Sequence, residues 1–289
     1  MICRLCPRSC GAERTETAAG GVCGQPLRPT AAKAMLHQWE EPCLVGAHGA
    51  GCVFFSGCSL RCCFCQNRDI SQRGVGKPLD AARLREIYQE LIAQGAACID
   101  LVTPTHFTPA VLESLDKPLP VPVVWNSSGY EKPETLRLLE GKVQIYLPDL
   151  KYALSAPAEK YSGAADYFRW ASAAIREMFR QTGPYRMEGG QLKSGVLIRH
   201  LLLPGELENT RRVIDWAAET FRPGDVLFSL MAQYTPQPGA EGNLRRHVTR
   251  AEYAAAVQYM ENCGVTDGYT QERTSAKEEY TPDFDLSGL

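Results

Sequence analysis

The stretch Cys58-Ser59-Leu60-Arg61-Cys62-Cys63-Phe64-Cys65-Gln66-Asn67 follows a short apolar run, Cys52 to Ser56, whose sequence Cys-Val-Phe-Phe-Ser indicates a buried strand. Cys58, Cys62 and Cys65 have a C-x3-C-x2-C spacing, with an aromatic residue directly before the last cysteine. Three thiolates on one tight loop can hold three corners of a [4Fe–4S] cluster. The fourth iron then has no protein ligand, so that a small molecule with an amine and a carboxylate can occupy it.

This motif resembles that of the radical S-adenosylmethionine (radical SAM) superfamily, in which three cysteines and a preceding aromatic residue have the same arrangement. The resemblance implies that the open iron chelates the methionine end of SAM and that Phe64 lies beside the cofactor. It also implies a one-electron transfer that cleaves SAM to methionine and a 5′-deoxyadenosyl radical, which abstracts a substrate hydrogen. An electron donor such as flavodoxin or ferredoxin is an implied partner.

Two other interpretations of the cysteine loop are a zinc knuckle and the remains of a disulfide scaffold. Structural zinc usually has four closed ligands from paired knuckles, whereas this loop offers three cysteines at a different spacing. Cys63 lies inside the x2 gap, and we expect it to be a packing residue.

The composition indicates a globular protein. At 289 residues, one large α/β domain with an appendage is favoured over two equal domains. Apolar residues make up 44% and charged residues 22%, which argues against disorder. The formal charge of −2 gives no electrostatic reason to expect nucleic acid or an anionic membrane as a partner.

The cellular location is predicted from hydropathy and cysteine content. No stretch approaches the roughly 18 apolar residues of a spanning helix, and Met1-Ile2-Cys3-Arg4 is not followed by the apolar region of a signal peptide. Twelve cysteines are therefore expected in a reducing cytoplasm, where clustered thiols favour metal binding or catalysis over disulfides.

Residues 1–28 form a small cysteine-rich extension. Cys3, Cys6, Cys10 and Cys23 have the spacing C-x2-C-x3-C-x12-C in a segment too short for its own core. A metal that holds the segment folded is one explanation, and zinc and an iron–sulfur cluster are both compatible with four cysteines. The other is a reduced cap in which these cysteines simply pack.

Strand, loop and helix patterns alternate along the rest of the chain, which predicts a parallel sheet of right-handed βα units. Six strands are fewer than the eight of a closed barrel, so we predict an α/β fold, a partial (β/α)6 radical SAM barrel at residues 29–265. Residues 266–289 are left as a C-terminal tail. The predicted strands lie at 52–56, 98–102, 121–125, 143–147, 196–203 and 226–231, and the predicted helices at 79–94, 109–115, 133–139, 164–180, 207–220 and 250–262.

Polar residues follow five successive strands, where loops at carboxyl ends form the site in such folds. Hydroxyls, amides, a carboxylate and an ammonium would satisfy the polar groups of SAM. The residues are Thr103, Thr105 and His106; Asn126, Ser127 and Ser128; Asp149 and Lys151; Arg199 and His200; Gln233 and Tyr234. Glu40 and Glu41 either face this site or form a solvated surface pair.

Within the superfamily, the chain is most similar to the glycyl-radical-enzyme activases, the family of pyruvate formate-lyase activating enzyme. The similar motifs are Cys65-Gln-Asn67, Asn126-Ser-Ser-Gly129, Asp149-Leu-Lys151 and Arg199…Pro204-Gly205. The resemblance implies that Asn126, Ser128, Asp149, Lys151 and Arg199 contact SAM. The chain departs from the family in two respects. It has Thr103-Pro-Thr-His106 in place of a Gly-Gly-Glu run, and it has four cysteines before the motif instead of an eight-cysteine insert after it.

Three functions follow as hypotheses. The first is hydrogen abstraction from a glycine of a partner enzyme, which implies a glycyl radical enzyme as a partner. The second is the same chemistry on a small molecule or peptide, with His106, Tyr234 or Tyr130 as a substrate-side acid, base or hydrogen donor. The third is a non-catalytic iron–sulfur or zinc binding module.

Overall fold

The computed structural model describes residues 2–271 and 281–289. The strands are β1 Thr30–His37, β2 Ala50–Phe55, β3 Lys77–Pro78, β4 Ile99–Val102, β5 Val123–Ser127, β6 Ile145–Pro148, β7 Arg186–Glu188, β8 Gln191–Leu201, β9 Leu227–Met231 and β10 Gly268–Thr270. The helices are α1 Pro42–Val45, α2 Arg68–Ser71, α3 Ala81–Ala93, α4 Thr108–Ser114, α5 Pro133–Leu136, α6 Ser155–Ser162, α7 Tyr167–Thr182, α8 Leu207–Thr220 and α9 Arg250–Asn262.

The ten strands of the described residues belong to one open sheet with the order β10-β9-β8-β6-β5-β4-β2-β1-β3, and β7 pairs with β8 outside this path. The six predicted strands correspond to β2, β4, β5, β6, β8 and β9, which pair in parallel. The predicted α/β partial barrel is therefore confirmed. The structure adds β10, which is parallel to β9, and an antiparallel edge in which β1 pairs with both β2 and β3.

Alternation along the parallel strands separates an inner core from an outer core. In β2, Cys52 and Phe54 pack inside the barrel, while Val53 and Phe55 pack against the covering helices. The same period of two continues in β5, where Val124 faces inward and Trp125 outward. Consequently, in each of these strands the residues two positions before and after an inward residue also point into the barrel.

A short helix fills the barrel interior at the end where the parallel strands begin. The short helix α1 contributes Cys43 and Leu44 to the inner core. At the edge, Leu286 N donates to Ala32 O at 3.1 Å, so residues near the carboxyl end lie along β1. β10 falls within the range predicted as a tail, and residues 272–280 of that range lie outside the described residues.

The helices follow the predicted positions with local differences. Asp80 caps α3 by accepting a hydrogen bond from Arg83 N. The predicted helix over 164–180 instead begins at Tyr167 and is preceded by α6, because Gly163 ends α6 in a left-handed conformation. Among the described residues, no helix combines the length and apolar character needed to cross a bilayer.

Gly129 sets the turn after β5 and gives a test of the fold. It has φ +72°, and a Cβ at this position would lie 2.1 Å from the Asp149 carbonyl oxygen. Gly129→Ala should therefore lower the free energy of unfolding by about 3 kcal/mol or more. Gly141 is a matched control, because it has φ +77° with nothing within 4 Å of an added Cβ. Gly141→Ala should lower the free energy of unfolding by only about 1 kcal/mol, because it introduces the strain of a left-handed backbone without a steric clash.

Urea unfolding of both variants measures this difference. Equal losses in the two variants would show that Gly129 is needed for its backbone angle only and not for its contact with Asp149.

Candidate active site

A cavity at the carboxyl ends of the parallel strands brings together nearly all of the predicted site residues. They come from the carboxyl ends of several different parallel strands, as the parallel topology predicts. The residues in its wall include Cys58, Cys62, Phe64, Cys65, Asn126, Ser128, Asp149, Lys151, Arg199 and Tyr234.

Each of the three motif sulfurs accepts a hydrogen bond. Leu60 N lies 3.4 Å from Cys58 Sγ, Ser162 Oγ lies 3.1 Å from Cys62 Sγ, and Ser71 Oγ lies 3.3 Å from Cys65 Sγ. Donors to sulfur stabilise the thiolate, and in iron–sulfur proteins they help to set the reduction potential. The loop thus presents three sulfurs that are already surrounded by suitable partners.

The environment of the loop suits metal-bound thiolates better than free ones. Burial raises the pKa of Cys62 to about 12, and the nearby Lys151 ammonium opposes that rise. Burial likewise raises the pKa of Cys65. All three cysteines are free of disulfides. Metal binding supplies the energy that deprotonates such thiols, so the residues present fit a cluster held at three corners.

Cys63 points away from this group. Its side chain is exposed, and its backbone N–H donates to Tyr161 O at 2.9 Å. The prediction that Cys63 is a packing residue is therefore wrong. The tight turn of the loop directs its side chain to solvent while its two neighbours in the motif face the cavity.

An ion network of three side chains lies beside the cysteines. Lys151 Nζ is 2.6 Å from Asp149 Oδ2, and Arg199 Nε is 3.2 Å from Asp149 Oδ1. Burial alone would raise the pKa of Asp149, but the charges of Lys151 and Arg199 hold it below its usual range. Asp149 is therefore a carboxylate with both oxygens engaged, and it fixes the two cations at the cavity wall.

Glu40 reaches this network from the closed end of the barrel. Its Oε1 lies 3.1 Å from Arg199 Nη1, and Arg199 Nη2 donates to Asn126 Oδ1 at 2.6 Å. Of the two interpretations of Glu40, the structure thus confirms the one in which it faces the site. Glu41 is also buried, and burial raises its pKa to about 7.

Asp100 and Cys52 belong to the same interior group but were not found from the sequence. Asn126 Nδ2 donates to Asp100 Oδ2 at 3.1 Å. Ligand atoms of Glu40, Cys52 and Asp100 all lie within 4.8 Å of one another. Burial raises the pKa of Asp100 well above its usual range. The period of two along β2 and β4 was the signal that could have placed both residues inside.

Aromatic rings form one side of the cavity. Phe64 meets Tyr161 and Tyr234 edge to face, with ring centroids 6.3 and 6.4 Å apart. Tyr234 presents its ring to the cavity, while its hydroxyl donates to Leu244 O at 2.6 Å. The Tyr130 hydroxyl donates to Asp166 Oδ1 at 2.7 Å. Both hydroxyls therefore have partners within the protein.

His106 lies apart from the other candidates. It is 2% exposed and is not in the cavity wall. Its Nε2 is 2.7 Å from Ser56 O, and burial lowers its pKa to about 4. The ring is thus a neutral, buried group behind the strand that leads into the cysteine loop.

Glu131 organises the strand ends and was also missed. Thr105 Oγ1 and Trp125 Nε1 donate to its Oε1 at 2.7 and 2.9 Å, and Ser127 Oγ donates to its Oε2 at 2.7 Å. It is 1% exposed. The carboxylate ties the loop after β4 to β5, so that Asn126 and Ser128 are held beside the cavity.

Comparisons with known proteins agree with this geometry. Residues 46–140 match the family described as "4Fe-4S single cluster domain". The uncharacterised protein MJ0674 of Methanocaldococcus jannaschii is 29% identical over 241 residues. The alignment covers 78% of this chain and 65% of that relative, so the chain spans less than two thirds of its length.

Solved structures share the fold at low sequence identity. SuiB of Streptococcus suis aligns with a TM-score of 0.52 at 13% identity, over 75% of this chain and 47% of SuiB. SuiB bound to S-adenosylmethionine aligns with a TM-score of 0.50 at 12% identity, over 78% of this chain and 51% of SuiB. A domain of pyruvate-formate lyase-activating enzyme from Bacteroides vulgatus aligns with a TM-score of only 0.37 at 12% identity. The alignment covers 66% of this chain and 91% of that domain, and it does not decide the subgroup. The cysteine motif in the cavity wall lies within the region that matches the 4Fe-4S domain family, and the fold of the chain is similar to that of SuiB.

Proposed function

We propose that the protein reductively cleaves S-adenosylmethionine and abstracts a hydrogen atom from a glycine of a partner enzyme. The observation that carries this proposal is the convergence of three sulfur ligands and a fixed pair of cations in one cavity. The bound cluster supplies the electron that cleaves SAM to methionine and the hydrogen-abstracting 5′-deoxyadenosyl radical. An electron donor such as flavodoxin or ferredoxin is the partner that such a reaction requires.

The side chains of the cavity wall have complementary roles in this proposal. Cys58, Cys62 and Cys65 would hold three irons of the cluster and would leave the fourth iron without a protein ligand. Lys151 and Arg199 present positive charge to the methionyl carboxylate, and Asp149 keeps them oriented. Asn126 and Ser128 offer an amide and a hydroxyl, which can both donate and accept hydrogen bonds, to the remaining polar groups of the nucleoside.

The glycine substrate is supported by the activase-like motifs at residues 65–67, 126–129, 149–151 and 199–205. A second candidate is a small molecule or a peptide, since SuiB, which has a similar fold, has been solved bound to the precursor peptide SuiA. In either case Tyr234 is better placed than His106 to meet a substrate, because only Tyr234 lines the cavity. A non-catalytic binding module would keep the metal without consuming SAM.

The three motif cysteines can be separated from their neighbour by substitution. Cys58→Ala, Cys62→Ala or Cys65→Ala should abolish binding of the loop cluster and consumption of SAM, because each removes one of its three protein ligands. Cys63→Ala is the matched control and should keep both, since Cys63 is exposed and points away from the cavity. Iron content and SAM turnover are measured after anaerobic reconstitution. Retained turnover in Cys62→Ala would exclude the assigned ligand set.

Lys151 should contribute to SAM affinity through its charge. Lys151→Met removes a charge-assisted contact and should weaken SAM binding about tenfold or more. Lys193 is a matched control, because it is a partly buried lysine of β8 whose Nζ contacts Gln191 at 2.8 Å and does not line the cavity. Equilibrium dialysis of the cluster-loaded variants measures the affinities. Equal weakening by Lys151→Met and Lys193→Met would contradict a direct role of Lys151.

The glycine substrate is tested by isotope transfer. The cluster-loaded enzyme, SAM and a reductant are incubated with protein extract from source cells grown on glycine deuterated at Cα. Deuterium in 5′-deoxyadenosine, together with a protein radical signal in electron paramagnetic resonance, is the expected result. Deuterium that arises only with the low-molecular-weight fraction of the extract would favour the small-molecule alternative.

A further inference from the structure

The amino-terminal cysteine segment, residues 2–24, has almost no ordinary core. Its buried residues are Cys3, Cys6, Pro7, Arg14 and Cys23, so that three of the five are cysteines. Apart from turns, its backbone order consists of isolated bridges, Ile2 with Glu13 and Gly20 with Gln25. Such a segment buries too little apolar surface to hold itself in one conformation. A cross-link of another kind is needed.

The four cysteines of the segment converge on one another. Cys3 N donates to Ala12 O at 2.9 Å, two residues from Cys10, and Arg14 Nε donates to Gln25 O at 2.9 Å, two residues from Cys23. Gly21 lies against Cys10, since an added Cβ would stand 2.6 Å from its sulfur. All four thiols are free of disulfides. They therefore form a group, and no covalent bond joins them.

A buried cation lies beside this group. Arg14 is fully buried, and its Nη1 is 3.4 Å from Cys3 Sγ. A guanidinium in this position favours thiolate over thiol, and thiolate is the form that binds metals.

The spacing of the sulfurs distinguishes the kinds of metal centre. Sulfurs bound to a single zinc at about 2.3 Å stand roughly 3.8 Å apart. Within the described part of the chain, no three of these four cysteine sulfurs lie within 4.8 Å of one another. The same is true of Cys58, Cys62 and Cys65, the ligands of the loop cluster. The open spacing fits a polynuclear cluster better than one zinc ion.

We propose that Cys3, Cys6, Cys10 and Cys23 ligate a second iron–sulfur cluster, of the [4Fe–4S] type, closed by four protein ligands. This centre differs from the loop cluster because every iron has a cysteine, so it has no open position for SAM. The proposal does not depend on SAM cleavage.

The second centre lies directly against the loop that holds the first. Arg8 Nε donates to Ser59 O at 2.8 Å, and Arg61 Nη1 donates to Val22 O at 3.2 Å. The Cys23 carbonyl oxygen would be 2.7 Å from a Cβ on Gly57, the residue before Cys58. These contacts place the Cα atoms of Cys23 and Cys58 within about 10 Å of each other. The amino-terminal centre thus fixes one wall of the cysteine loop.

Metal analysis of matched variants tests the proposal. After anaerobic reconstitution, the wild type should hold about eight irons per chain, and the triple variant Cys58→Ala/Cys62→Ala/Cys65→Ala about four. The double variant Cys3→Ala/Cys6→Ala should also hold about four. Cys263→Ala is the control, because Cys263 is a partly buried cysteine outside both groups, and it should keep all eight.

The same experiment gives the results that would overturn the proposal. One zinc and no iron in the triple variant would exclude a cluster at the amino-terminal cysteines. The absence of both zinc and iron from that variant would exclude any metal site there. Native mass spectrometry of the wild-type holoprotein answers the question without substitutions, since two clusters and one cluster plus one zinc differ in mass. SAM consumption is followed in parallel. Wild type that cleaves SAM with only four irons contradicts this inference alone, whereas wild type with eight irons and no cleavage contradicts the proposed function alone.

Discussion

The parallel pairing of β2, β4, β5, β6, β8 and β9 is the constraint on which the site depends. It brings six carboxyl ends to one rim, and the period of two along each strand selects which side chains point inward. Cys52, Asp100, Asn126, Arg199 and Ser229 share this inward position on five strands. A shift of one residue would turn the opposite face of a strand inward, so that in β4, for example, Ile99 or Leu101 would replace Asp100.

Placing these polar groups inside the barrel creates an electrostatic problem that the structure solves by pairing. Arg199 contacts Glu40, Asp149 and Asn126, and Lys151 contacts Asp149. Removing one member would leave a buried charge without its partner, which costs several kcal/mol in typical proteins. The cations at the cavity wall are thus held by carboxylates behind them. A ligand with a carboxylate meets preorganised positive charge and does not have to arrange it.

Much of the fold and part of the site could be predicted from the sequence. The parallel strands are predominantly apolar runs in the sequence. The cysteine loop follows one of these runs, and Asp149, Lys151 and Arg199 stand at or near the ends of others. β1 was missed because its sequence, Thr-Ala-Ala-Lys-Ala-Met-Leu-His, has little β propensity and becomes a strand only by pairing with β2.

The remaining parts of the site depend on contacts between distant residues. Glu40 and Arg199 are 159 positions apart, and nothing near Glu40 in the sequence indicates that its side chain reaches the interior. Glu131 follows Gly129 in a loop, and its role emerges only when Thr105, Trp125 and Ser127 surround it. His106 was grouped with the site because it follows a strand, but the turn after β4 directs its ring toward Ser56.

A cysteine loop with three ligands should leave one iron open for SAM. Electron–nuclear double resonance of the reduced, cluster-loaded protein tests this directly, with SAM labelled with ¹⁵N at the methionyl amine or with ¹⁷O at the carboxylate. We predict hyperfine coupling of both labels to the cluster. An intact cluster that shows no coupling to either label, at SAM concentrations that saturate binding, would contradict the account.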